Sequence, residues 1–114
     1  MNLQSTIHAL SALAQEHRLA AVRLLVQAGP EGLSAGSIAD ALGVPASSMS
    51  FHLAQLAHAG LVSQQRRSRS IIYAADYAVM NGLMSYLTEN CCGGASCASD
   101  AACSPVQSAE RNVA

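Results

Sequence analysis

Ser34-Ala35-Gly36-Ser37-Ile38-Ala39-Asp40-Ala41-Leu42-Gly43-Val44-Pro45-Ala46-Ser47-Ser48-Met49-Ser50-Phe51-His52-Leu53-Ala54-Gln55-Leu56-Ala57-His58-Ala59-Gly60-Leu61-Val62 carries two apolar helical periods separated by a glycine and a proline. Ser34 suits an N-cap, because its side-chain oxygen can accept from a backbone N–H that a helix start leaves unpaired. Ile38 and Leu42 then lie one turn apart on a short helix that Gly43 can end in a left-handed conformation. Val44-Pro45 follows, with the proline placed for a first helical turn. From Ala46 to Ala59, Met49, Leu53 and Leu56 fall on one face, and Gly60 stops the run. The reading is helix, tight turn, helix.

Downstream the period changes to two. Val62 to Gln65 and Ile71 to Ala74 read as short strands joined by Arg66-Arg67-Ser68-Arg69-Ser70, which places the arginines on a hairpin loop where they suit phosphate contact. A last helix, Tyr77 to Glu89, presents Val79, Leu83 and Tyr86 along one face and Met80, Met84 and Leu87 along the next. An apolar arc that wide has more to bury than one core contact. Upstream, Leu3, Ile7, Leu10 and Ala14 recur at helical spacing. After the polar break Gln15-Glu16-His17, Leu19, Val22, Leu25 and Val26 do so again until Gly29-Pro30. The predicted class is therefore mainly α with a small β-hairpin. Residues 1–92 form one domain, and 93–114, rich in Ala, Ser, Asp, Pro, Gln and Asn past Cys97, form a flexible tail. No internal repeat is visible.

A chain of 114 residues that is 51% hydrophobic supports a single compact domain. Short chains bury little of their surface alone, so a homodimer is expected. No basic patch precedes an apolar run at the N-terminus, and no stretch approaches the roughly 18 apolar residues of a membrane span, so a cytoplasmic protein with no membrane partner is expected. The net charge of −1 conceals an uneven distribution. Between Ala41 and Ala75 there is no acidic residue, whereas Arg66, Arg67 and Arg69 give that window +3. A solvated hairpin tip would also carry such arginines, so charge alone leaves the two readings open.

All four cysteines fall between Cys91 and Cys103, directly after the last apolar helix. In a reducing compartment this favours a metal, metalloid or redox site over a disulfide framework. Cys91 and Cys92 bring two sulfurs close because adjacent Cα atoms are about 3.8 Å apart. A straight helix would carry Cys97 roughly 9 Å beyond Cys91. Gly93-Gly94 permits the reversal that returns it. Three soft thiolates suit trivalent arsenic or antimony, which bond three sulfurs in a pyramid. Zinc prefers four ligands in a tetrahedron. Cys103 is an incidental tail thiol or the fourth ligand of a zinc site, although the spacing lacks paired C-x-x-C knuckles.

The stretch from Ser34 to Val62, followed by an arginine-tipped hairpin, closely resembles the winged helix-turn-helix of the ArsR/SmtB family of bacterial metal-sensing repressors. It is strongest in Ser50-Phe51-His52-Leu53-x-x-Leu56-x-x-Ala59-Gly60-Leu61-Val62. The resemblance spans roughly residues 3 to 92. It implies a homodimer through the first and last helices, with Leu3, Ile7, Leu10, Met80, Met84 and Leu87 as interface residues, bound to double-stranded operator DNA. Ser47, Ser48, Ser50, His52 and Gln55 would face the major groove and Arg66, Arg67 and Arg69 the phosphates or minor groove. Ser47 could instead cap its helix, His52 could be a partly buried histidine, and Phe51 is expected to pack rather than to touch a base. His8, His17 and His58 are assigned no site.

The helix before the turn lacks the Cys-x-Cys pair of one arsenic-sensing branch, and Tyr77–Glu89 contains no histidine, which the zinc-sensing branch needs. Tyr86-Leu87-Thr88-Glu89-Asn90-Cys91-Cys92 looks like the arsenite-responsive branch whose site ends the last helix. The resemblance thus implies a repressor, not an enzyme, with no permanent cofactor. It would release DNA when As(III), or Sb(III), is held by Cys91, Cys92 and Cys97. Methylarsenite, another thiophilic metal, or oxidants acting on the same thiols are the alternatives.

Overall fold

The computed structural model describes residues 1–94. Cys97, Cys103 and the tail expected beyond Cys97 lie outside the described residues. Among those described, the order is α1 (Leu3–Leu13), α2 (Glu16–Ala28), β1 (Leu33–Ser34), α3 (Ala35–Leu42), α4 (Ala46–His58), β2 (Val62–Arg67), β3 (Ser70–Ala75) and α5 (Tyr77–Thr88), then a 3₁₀ turn at Cys91–Gly94. This is a winged helix-turn-helix, mainly α, with α3 and α4 as the helix pair and the β2–β3 hairpin as the wing. None of the described helices is long and apolar enough to cross a membrane.

The chain divides into two compact units, Met1–Met84 and a second that begins at Ser85. The core belongs to the first. Leu25, Ile38, Met49, Leu53, Leu56 and Leu61 are its largest fully buried side chains, with Ala9, Ala21 and Val22 packed among them. Burying a side chain of this size contributes about 1.5–3 kcal/mol, so six of them supply most of what holds a domain this small together. Five of the six come from the helix-turn-helix and the short turn that follows it.

The hairpin is one strand short of the observed sheet. β1 pairs with β3 through Leu33↔Tyr73 and Ser34↔Ile72, giving an antiparallel sheet in the order β1-β3-β2. Two residues are too few to display a period, and Ser34 also serves α3, where its side chain accepts from the Ser37 N–H at 3.1 Å. Gly32, at φ +72°, brings the backbone so close to Tyr73 that a Cβ would meet the Tyr73 carbonyl oxygen.

β2 also extends farther than the period predicts. It runs through Arg67, with Arg66↔Ile71 and Arg67↔Ser70 in register. Arg66 and Arg67 are therefore strand residues pointing to opposite faces, and only Arg69 lies in the Ser68-Arg69 turn. Residues Ser63–Arg67 are all exposed, so no apolar alternation marked them as strand.

Candidate DNA interface and thiol cluster

α4 packs against α1, α2, α3 and β2. Gly43 makes the turn that sets its entry. At φ +67° it takes the left-handed conformation, and its N–H donates to the carbonyls of Ala39 and Asp40. Val44, buried, donates to the Ala39 carbonyl at 3.0 Å. Pro45 occupies the N-cap, one position earlier than its expected place in the first turn, and no side chain caps the helix. Ser47 is thus not a cap, because its hydroxyl would have to lie at the position Pro45 fills.

With Met49, Leu53 and Leu56 buried, the opposite face of α4 is left to solvent. Ser47, Ser48, Ser50 and Gln55 are exposed on it or beside it, and His52 is half-buried at its edge. Phe51 is 59% exposed, which corrects its reading as a packing residue. At about 100° per residue, Phe51 lies roughly 160° around the helix from Met49 and Leu53, too far for a side chain to reach the core they enter.

His52 is held by a residue that sequence reasoning missed. The Arg18 guanidinium lies 3.3 Å from His52 Nδ1. Arginine only donates, so Nδ1 accepts and the neutral ring carries its proton on Nε2. Arg18 Nε also donates to the Ala12 carbonyl at 2.6 Å, and the Arg18 backbone N–H to Gln15 Oε1 at 3.0 Å. One side chain therefore ties the end of α1 and the start of α2 to α4. Burial, then the Arg18 charge, then the His17 ring 5.6 Å away, push the His52 pKa below its usual 6.5. No local pattern predicts a contact between residues 34 positions apart. His8 and His58 meet edge to face at 5.4 Å, both exposed.

Along the wing, every residue from Ser63 to Ser70 is exposed. Arg67 Nη2 donates to Gln65 Oε1 at 3.4 Å. Of the residues assigned to an interface between subunits, Leu3, Ile7 and Leu10 are exposed along α1. Met80 is half-buried and packs against the core, whereas Met84 and Leu87 are 63% and 55% exposed.

After α5, Asn90 (φ +58°), Cys92 (φ +57°) and Gly93 (φ +70°) adopt left-handed conformations that turn the chain. The bend begins at Asn90, three residues before the expected Gly93-Gly94, and passes through Cys92 itself. Cys91 is a half-buried free thiol, and Cys92 is exposed and disulfide-bonded. Among the described residues no three His, Cys, Asp or Glu side chains come together as a metal site. Cys97, the third thiol expected there, lies outside them.

Residues 13–65, which hold α2 through α4, match the helix-turn-helix domain family. The chain is 30% identical over 92 residues to the HTH-type transcriptional regulator YgaV of Escherichia coli K12, covering 79% of this chain and 93% of that protein. An ArsR-like transcriptional regulator from Rhodococcus sp. RHA1 superposes with a TM-score of 0.68 at 27% identity, covering 90% of this chain and 92% of the other. The homodimeric winged helix-turn-helix DNA-binding domain of Mb0332 from Mycobacterium bovis gives 0.61 at 27% identity, over 76% and 81% of the two chains. An exposed polar face on α4, a basic wing and these relatives agree: the chain belongs to the ArsR-type winged helix-turn-helix transcriptional regulators, which are DNA-binding proteins and not enzymes.

Proposed function

We propose that this regulator is an arsenite-responsive repressor. It binds operator DNA as a homodimer through Ser47, Ser48, Ser50, His52 and Gln55 of α4 and Arg66, Arg67 and Arg69 of the wing. It lets go when As(III), or Sb(III), is bound by Cys91, Cys92 and Cys97. The observation that carries the reading is the adjacent pair Cys91-Cys92 in a left-handed turn at the end of α5. In the reduced protein such a turn sets the Cys91 and Cys92 thiols side by side, and a third sulfur five residues on would complete the set.

The homodimeric state of the Mb0332 domain supports the pairing, with Leu3, Ile7 and Leu10 of α1 and Met80, Met84 and Leu87 of α5 as its contacts. A two-fold dimer must hold its recognition helices about 34 Å apart to enter successive major grooves. Ligand at the end of a helix in the interface changes that spacing. Coupling of about 1–3 kcal/mol is typical, and by linkage bound DNA weakens arsenite binding by the same factor.

A second reading, favoured by the disulfide at Cys92, uses the same thiols as a redox switch. One titration separates the two. Arsenite, antimonite, zinc, cadmium and peroxide are each added to the reduced protein on its own upstream DNA. Release by arsenite, abolished in Cys91→Ser, Cys92→Ser or Cys97→Ser and retained in Cys103→Ser, is expected. Release by peroxide with no arsenite response would replace the metalloid site with the redox switch. Loss of the arsenite response in Cys103→Ser would make it a four-ligand centre.

A further inference from the structure

The assigned polar residues of α4 leave its most prominent side chain unexplained. Phe51 is the chain's only phenylalanine and one of its most exposed large apolar residues. Exposing an aromatic ring of this size forfeits about 1.5–3 kcal/mol that burial would supply, so a folded domain gains nothing from keeping it outside. Ser47, Ser48 and Gln55 stand four residues before, three before and four after it, which puts the ring in the middle of the polar face. It is also braced. The His52 ring meets Phe51 edge to face at 5.9 Å, and Arg18 fixes His52 from α2. An aromatic side chain held this way enters a contact with little left to order.

We propose that Phe51 reads the C5-methyl group of a thymine in each half-site of the operator, as the apolar specificity contact at the centre of an otherwise polar recognition helix. The inference rests on the assignment of α4 to the major groove. The occupant follows from what that groove displays. Its edges offer hydrogen-bond donors and acceptors, which suit serine, glutamine and a histidine N–H. The thymine methyl is its one apolar feature. A phenyl ring, with neither donor nor acceptor, discriminates a base only there. His52, held with its proton on Nε2, offers a donor beside the ring, and the Phe51–His52 pair therefore suits a thymine next to an acceptor such as a purine N7.

The test replaces each thymine of the operator in turn with deoxyuridine, which removes the methyl group and leaves every hydrogen-bonding edge in place. Wild-type protein is expected to lose about four-fold in affinity at one symmetry-related position, the equivalent of roughly 0.8 kcal/mol for one buried methyl-sized group. Phe51→Ala should bind the thymine and uracil operators equally. It should retain its thermal midpoint and dimeric state, since the ring is 59% exposed. Placing 5-methylcytosine instead of cytosine at that position should raise wild-type affinity by a similar factor and leave the variant unaffected. Tight operator binding with no thymine sensitive to methyl removal would overturn the proposal and leave α4 as the reading helix. The same loss in Phe51→Ala as in wild type would assign the methyl to another residue. A protein that binds no upstream DNA at all would overturn the assignment of α4 itself. If Phe51→Ala becomes monomeric, the ring belongs to the contact between subunits.

Discussion

Arg18 and His52 show how a single residue can set the state of the helix face proposed to read DNA. The guanidinium accepts nothing, so its approach to Nδ1 selects one tautomer of a ring that would otherwise sample two. It also repels the protonated form. With the folded pKa held below 6.5 and the unfolded value at 6.5, the unfolded chain binds more protons in the interval between them. The stability that neutral His52 contributes is therefore complete above pH 6.5 and is lost as the pH falls through the folded value. Denaturant midpoints measured from pH 7.5 to 5 should fall more steeply in the wild type than in His52→Gln. Parallel curves would show that burial and Arg18 leave the ring's proton affinity unchanged.

At the scale of the element, the wing separates two kinds of arginine. Arg66 and Arg67 project from opposite faces of β2, while Arg69 sits in the turn. In the proposed complex, with α4 in the major groove, the turn and one face of the strand would meet the phosphate backbone. Each phosphate contact contributes a slope of about −0.9 in log K against log salt. Arg69→Ala is expected to weaken binding to all sequences alike and reduce the slope by about one contact, and of Arg66→Ala and Arg67→Ala one should do the same. A triple variant with an unchanged slope would remove the wing from the interface.

These elements also mark what was legible in the sequence. α3 and α4 were, because Ser34, Gly43 and Gly60 punctuate two apolar stripes whose members proved to be the core. β1 was not, because two residues have no period, and its partner Tyr73 lies far along the chain. The extent of β2 was hidden because a strand exposed on both faces has no alternation to read. Phe51 misled for a different reason. Aromatic residues on amphipathic helices usually pack inward, and only its angular position, opposite Met49 and Leu53, signalled otherwise. Arg18 gave no local sign, since a contact across three helices is made by the fold and not by spacing.

For the whole molecule, the question is what covers the apolar stripes exposed on α1 and α5. Leu3, Ile7 and Leu10 lie at i, i+4 and i+7 on α1, and Met80, Met84 and Leu87 repeat that spacing on α5. Met80 packs against the core, which narrows the α5 contribution to the two side chains farther along the helix. In the homodimer proposed above, a second copy covers these stripes, because a domain this small gains from burying apolar surface across an interface. A carboxylate introduced there is desolvated without a partner, and the cost of that exceeds what one leucine contributes. Leu87→Glu should therefore sediment as a monomer at concentrations where the wild type is a dimer. It should also lose operator affinity by far more than the few-fold effect of any one base contact, because a monomer engages one half-site. Its helical content should match the wild type, since Leu87 is exposed. A variant that remains dimeric with unchanged affinity would place the interface on α1 alone, and would then break the proposed route by which a ligand at the end of α5 reaches the DNA.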